Sequence, residues 1–137
     1  MTKIEMHKGR WLLPIIGDRV TDLELQLSCW TIRFRAHDDV NSSLRIEEKG
    51  QLTRGSQQYA IDLHGDSKQF TPVVELLGSD VTNAYATKHG VILIEFSNAL
   101  TLTVGAITEC AWHFHSPRPG TGRHGENCLK AGAGALF

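Results

Sequence analysis

The chain has 137 residues, of which 41% are hydrophobic and 21% are charged, and its formal net charge is −1. This length suits one domain with a single core, and this composition excludes disordered, fibrous and disulfide-dense proteins. A net charge near zero also excludes a general attraction to nucleic acid or to anionic lipid.

The sequence shows neither a membrane segment nor a secretion signal. No apolar run approaches the roughly 20 residues that span a bilayer, and the first residues lack the apolar core of a signal peptide. The three cysteines, Cys29, Cys110 and Cys128, are widely spaced and odd in number, which is typical of a reducing compartment. We therefore predict a cytoplasmic protein that makes no membrane contact and carries no cofactor.

Two segments of the chain resemble each other. Gly17-Asp18-Arg19-Val20-Thr21 and Gly78-Ser79-Asp80-Val81-Thr82 each follow an apolar stretch and lead into a strand pattern, about 61 residues apart. The similar segments cover approximately 12–35 and 73–97. Two copies favour a duplicated sheet motif over a solenoid, because solenoids need three or more units. We predict a single domain, 1–137, built from two related halves.

Strand patterns fill the first half. Leucine alternates with polar residues over 23–27, which predicts a half-buried strand. The alternation changes phase over 30–35, so a turn or bulge is required near Ser28-Cys29. Leu44 and Ile46 mark another short strand, and 57–63 reads as one more.

The second half begins with the best helix pattern in the chain. Thr71 as N-cap, Pro72 in the first turn and Gly78 beyond the end predict one short helix over 71–77. Strand patterns follow over 81–86, 91–96 and 100–104, and a final strand carries Trp112 and Phe114. Residues 116–127 read as a loop rich in proline and glycine. The predicted fold class is α+β and β-dominated, with antiparallel meander sheets from two related halves.

One group of side chains could hold a metal ion: His113, His115, His124 and Cys128. Residues i and i+2 of a strand share a face, so the first two imidazoles could meet one ion. However, Trp112 and Phe114 point to the core, so the histidines between them point to solvent without any need of a metal. The other two members lie across a loop, and we predict no metal.

Catalytic patterns are missing from the sequence. It contains no nucleophile elbow, zinc-protease helix or phosphate-binding loop motif. The paired carboxylates Asp38-Asp39 and Glu47-Glu48 are adjacent, so they diverge on a strand or turn and cannot share a proton. We predict that the protein is not an enzyme.

Charge is distributed unevenly along the chain. Residues 61–110 contain two basic and six acidic side chains, a local balance of −4. The acidic residues are Asp62, Asp66, Glu75, Asp80, Glu95 and Glu109. They predict an acidic surface that binds a basic protein partner.

A basic alternative lies in the first half. Arg33 and Arg35 share one strand face and, with Arg45, would form a stripe that binds single-stranded nucleic acid. Neighbouring carboxylates offset this charge, so nucleic acid is the less favoured partner.

Several short motifs together resemble a family of small bacterial proteins of unknown function. The resemblance covers about residues 9–137 and is carried by Gly17-x-x-Val20-Thr21, Gly78-x-x-Val81-Thr82, Gly90 to Phe96, Leu100-x-Leu102-x-Val104, Ala111-Trp112 and Cys128 to Phe137. The chain departs from the family where Asn98 is followed by Ala99 rather than glycine, and at Glu109-Cys110. The resemblance implies a bacterial cytoplasmic protein with no assigned catalytic residues.

By analogy with other small single-domain bacterial proteins, we expect an immunity protein that neutralises a cognate, cationic toxin by direct binding. A small-ligand or metal-binding domain that uses His113 and His115 is the alternative, besides the nucleic-acid module. Exposed sheet edges would allow a homodimer.

Overall fold

Two antiparallel sheets and one short helix make up the fold, as predicted. The computed structural model describes residues 5–7, 10–62, 70–107, 111–119, 126–132 and 134–136. The helix is α1 (Thr71–Val74), and the strands are β1 (Glu5–His7), β2 (Arg10–Leu12), β3 (Arg19–Leu25), β4 (Trp30–Arg35), β5 (Asn41–Ile46), β6 (Gly50–Arg54), β7 (Gln57–Ile61), β8 (Val81–Thr87), β9 (Ile92–Phe96), β10 (Thr101–Val104), β11 (Trp112–Pro119), β12 (Glu126–Gly132) and β13 (Ala135–Leu136).

Each sheet combines strands from both halves of the chain. One sheet has the order β1-β2-β8-β9-β10-β6-β7, and the other has the order β13-β12-β11-β5-β4-β3. No helix of the described residues is long and apolar enough to cross a membrane.

A single hydrophobic core lies between the two sheets. On β4, Trp30, Ile32 and Phe34 are fully buried, and on β9 Ile92 and Ile94 are buried in the same cluster. Each set alternates with half-buried or exposed residues because successive side chains of a strand point to opposite faces. The period-two alternation predicted these strands correctly.

Each half contributes a hairpin to the sheet of the other half. The hairpin β6–β7 follows β5 along the chain, yet β6 pairs with β10, with Gly50 opposite Val104. The hairpin β11–β12 follows β10, yet β11 pairs with β5, with Trp112 opposite Ile46. Neither sheet can therefore be completed by one half of the chain alone.

The two Gly-x-x-Val turns pair with each other between the sheets. The Gly17 N–H donates to the Val81 carbonyl at 2.8 Å, and the Gly78 N–H donates to the Val20 carbonyl at 2.9 Å. Both glycines have positive φ, +93° and +81°. A register irregularity follows each valine, one in β3 and one in β8. Each turn thus makes the same contact with the other. That the two halves arose by duplication stays a prediction.

Several predicted boundaries differ from the structure. The helix predicted over 71–77 ends at Val74, and the chain continues as a turn in which the N–H groups of residues 75–77 bond to carbonyls three residues back. The N-cap of α1 is Phe70, not Thr71, because the backbone at Phe70 is already in the helical region and its ring packs edge-on against Trp30 at 6.4 Å. The predicted loop 116–127 is shorter, because β11 runs to Pro119 and β12 begins at Glu126. The buried Ser116 hydroxyl lies 2.9 Å from that of Ser42, which anchors this extension of β11 to β5.

Candidate functional site

The outer face of the six-stranded sheet gathers arginine, lysine and histidine side chains from four strands. Residues directly opposite each other in antiparallel strands share a face, as do residues two apart on one strand. One row across this face is Glu24, Thr31, Arg45, His113 and Lys130. The next row is Asp22, Arg33, Ser43 and His115. We call the cationic and histidine members of this surface, together with Arg35, the basic face: Arg33, Arg35, Arg45, His113, His115 and Lys130.

Most of the cations on the basic face are not neutralised. Arg33 pairs with Glu24, with 2.6 Å between Nη2 and Oε2. Arg35, Arg45 and Lys130 are exposed, and among the described residues none of them forms an ion pair with a carboxylate. Among the described residues of this face, three cations are therefore left without a bound carboxylate, while Asp22 adds one negative charge to the same surface.

His113 and His115 lie between these cations and are half-buried. Burial is the main reason that the pKa of His113 lies below its usual value, and the charges of Lys130, Arg45 and His115 lower it further, whereas Glu47 opposes them. A neutral imidazole is consequently favoured at this position in the free protein.

The predicted metal ligands come together only in part. His113 and His115 share the basic face, and the Cα of Cys128 lies opposite that of His115. His124 lies outside the described residues. No group of three or more histidine, cysteine or acidic side chains suited to a metal ion occurs within the part of the chain that the structure describes.

The acidic residues of the middle segment are mostly bound to bases from the first half. Three surface ion pairs form: Asp80 with Arg19 at 3.1 Å, Glu75 with Arg54 at 3.1 Å, and Asp62 with Lys49 at 3.4 Å. Glu95 is exposed on the outer face of the seven-stranded sheet, between Asn83 and Thr101. Asp66 and Glu109 lie outside the described residues. Folding thus compensates much of the charge that is concentrated along the sequence.

The outer face of the seven-stranded sheet offers a contrast. Its central rows consist mainly of uncharged polar side chains, among them Thr53, Thr101, Thr103 and Gln51, with Glu95 as a charged exception. The two outer faces of the molecule therefore differ in electrostatic character.

Comparison with protein families assigns the chain. A family model matches residues 11–122, which is most of the sequence. The chain belongs to the family of unknown function DUF6188. Comparison with curated proteins and with solved structures finds no match.

The DUF6188 region includes five of the six residues of the basic face. Arg33, Arg35, Arg45, His113 and His115 all lie within the matched range, and only Lys130 falls beyond it. The arginines and the histidines form two separate patterns along the sequence, whereas the pairing of β5 with β11 places them on one surface. Lys130 carries no motif of its own, and only its position opposite His113 reveals it.

Proposed function

We propose that this protein is a non-enzymatic binding protein whose basic face binds an acidic surface of a protein partner. The observation that supports this proposal is that Arg35, Arg45 and Lys130 lie on one sheet face and, within the part of the chain that the structure describes, pair with no carboxylate. Complementary charge across an interface accelerates association and selects the partner. The acidic residues first expected to bind a cationic partner are less suitable, because most of those described are already paired.

We further propose that the partner is a cognate toxin, which the protein neutralises by covering an acidic part of its surface. The test is coexpression with the product of the neighbouring gene, followed by measurement of the affinity of the complex. A neighbouring gene that encodes no toxin, together with the absence of a complex, would refute the immunity role.

A matched pair of variants tests whether the basic face forms the interface. The first variant combines Arg35→Gln, Arg45→Gln and Lys130→Gln. The control combines Arg10→Gln, Lys49→Gln and Lys88→Gln, which removes the same charge elsewhere. We expect the first variant to associate at least tenfold more slowly at low salt and the control to retain the wild-type rate. Equal rates for the two variants would show that the partner binds another surface.

Single-stranded nucleic acid is the second candidate partner, because Arg33, Arg35 and Arg45 do share one face. Binding of single strands typically combines cations with aromatic side chains on which bases stack. Among the described residues of this face there is no phenylalanine, tyrosine or tryptophan, so we favour the protein partner. Salt-dependent binding of an oligonucleotide, lost in the Arg35→Gln, Arg45→Gln, Lys130→Gln variant, would reverse this preference.

A further inference from the structure

A cleft lies at one end of the six-stranded sheet, between the Gly17 turn and the hairpin that joins β4 to β5. It consists of two adjoining cavities of about 290 Å³ each, which share Gly17, Ala36 and His37. Ile16, Asp18 and Asp38 complete the lining of one cavity, and Arg19, Thr21, Arg35, Asp39 and Asp80 complete that of the other. Each cavity could hold several water molecules or part of a small polar ligand.

The corresponding place in the second half of the chain is occupied by direct contacts. There the Asp80 N–H donates to Ser97 Oγ at 2.9 Å, and Asn98 Nδ2 donates to the Glu75 carbonyl at 2.8 Å. These bonds tie the β9–β10 hairpin to the segment around Gly78. The β4–β5 connection, residues 36–40, is longer than the β9–β10 connection, residues 97–100. The cleft therefore arises where the otherwise reciprocal halves differ.

Cationic donors line one of the two cavities. Arg35 donates from Nε to Asn41 Oδ1 at 3.4 Å, so among the described residues its two Nη groups are unengaged. Arg19 donates from Nε to Asp80 Oδ1 at 3.1 Å, and its Nη groups are likewise left for a ligand. The exposed His37 lines both cavities. Two guanidinium forks beside an imidazole suit the oxygen atoms of a phosphate group.

Carboxylates determine what else the ligand must contain. Asp18 and Asp38 line the other cavity, Asp39 lines the cationic one, and Asp80 is already paired with Arg19. Ionised carboxylates only accept hydrogen bonds and repel a bare anion, so the ligand must also bring hydroxyl donors. Asp38 Oδ1 accepts from the Val40 N–H at 3.3 Å, which holds this side chain on the hairpin.

We propose that the cleft binds a phosphorylated polyhydroxyl compound, such as a sugar phosphate, with its phosphate between Arg19 and Arg35 and its hydroxyl groups toward Asp38 and Asp39. Because Asp39 lines the same cavity as Arg19 and Arg35, one hydroxyl group would lie next to the phosphate there, and further hydroxyl groups would extend past His37 to Asp38 in the other cavity. This inference does not rest on the proposed protein partner, although Arg35 belongs to both surfaces.

Amide NMR titration with glucose 6-phosphate tests the proposal, with glucose and inorganic phosphate as separate probes. We expect saturable shifts confined to residues 16–21 and 35–39. We also expect glucose 6-phosphate to bind more tightly than either simpler probe. Shifts centred on Arg45 and Lys130 would instead place the phosphate on the basic face and overturn the proposal, as would the absence of saturation at tens of millimolar.

Four variants separate the parts of the site. Arg19→Gln and Arg35→Gln should each weaken glucose 6-phosphate binding about tenfold through the loss of a charge-assisted bond, whereas Arg10→Gln should leave it unchanged. Asp38→Asn should weaken glucose 6-phosphate more than inorganic phosphate. Equal effects of Asp38→Asn on both probes would refute the hydroxyl contact. Arg19 lies opposite Arg35 on the same sheet face but is left unchanged in the variant that tests the protein interface, so failure of Arg19→Gln to weaken binding counts against the cleft and not against the protein interface.

Discussion

His113 is the residue at which burial and charge act together on the basic face. Arg45 and Lys130 lie opposite it on the two neighbouring strands, His115 follows on the same face, and Glu47 opposes their effect. Its pKa is lowered, so between pH 6.5 and the folded-state pKa the unfolded chain binds more protons at this position than the folded chain does. Stability therefore falls as the pH falls below about 6.5, the ordinary histidine pKa.

We expect His113→Asn to weaken this pH dependence. Urea denaturation at pH 7.5, 6.5 and 5.5 should show the wild type losing stability more steeply than the variant. The exposed His37, replaced in His37→Asn, is the control and should retain the wild-type slope. An equal slope in His113→Asn would mean that His113 is not responsible. Docking of an acidic partner would raise the pKa of His113, so that the complex should tighten as the pH falls.

Ala99 has a backbone conformation that suits glycine. Its φ is +71°, in the left-handed region where a Cβ is unfavourable by roughly 1 to 2 kcal/mol. The same turn geometry recurs at Asp39, whose φ is +65°.

Ala99→Gly should therefore stabilise the protein by about 1 kcal/mol, as measured by urea denaturation. Asp39→Gly, the matched change in the other hairpin, should give a smaller gain because aspartate tolerates this conformation better. A loss of stability in Ala99→Gly would contradict the assigned strain.

At the scale of elements, the turn of the β8–β9 hairpin is held at Gly90 by a hydrogen bond to the other sheet and by close packing. The Gly90 carbonyl accepts from Trp112 Nε1 at 2.7 Å, a buried contact between the two sheets. A Cβ added at Gly90 would lie 2.6 Å from Ala106 Cβ and 2.7 Å from the Ala135 carbonyl oxygen. Gly90 also has φ of +86°, so both space and conformation require glycine here.

We predict that Gly90→Ala destabilises the protein by about 3 kcal/mol, the sum of left-handed strain and overpacking. Gly55→Ala is the control, because Gly55 has φ of +59° but open space around it. Gly55→Ala should lower the free energy of unfolding by only about 1 kcal/mol. Similar losses in chemical denaturation would show that the surrounding atoms move aside for the Cβ.

Local patterns predicted the elements whose neighbours are close in sequence. The alternation of Trp30, Ile32 and Phe34 with Arg33 and Arg35 is the alternation observed in β4. The leucine alternation over 23–27 predicts a strand that reaches Leu27, whereas β3 ends at Leu25. Leu27 is 95% exposed because the hairpin has begun by then, with the Gln26 N–H bonded to the Cys29 carbonyl at 2.9 Å. Periodicity alone does not mark where a strand leaves the core.

At the scale of the whole molecule, the hairpin exchange limited what the sequence could predict. Ser42 and Ser116 form a buried hydrogen bond across 74 residues. No local pattern specifies that β5 pairs with β11, because this register depends on packing between distant segments. The sequence therefore predicts the arginines and the histidines as separate groups. The basic face and the cleft follow only from the folded arrangement of distant segments.

The same exchange predicts one cooperative unfolding transition. Each sheet contains strands from both halves, so neither half can unfold while the other keeps its sheet. Scanning calorimetry should give equal calorimetric and van't Hoff enthalpies. Ile32→Ala in one sheet and Ile94→Ala in the other should each lower Tm without splitting the transition. Two resolved transitions in either variant would contradict this prediction.

The exchanged hairpins also have a consequence for protein synthesis. While a ribosome makes the chain, β5 is complete long before its neighbour β11 exists. At ordinary rates of elongation this interval lasts on the order of several seconds. During that time the apolar residues of the nascent first half are exposed to solvent. One edge of its sheet also lacks the strand that will later pair with it. We therefore expect the emerging chain, rather than the finished protein, to be the form most dependent on chaperones.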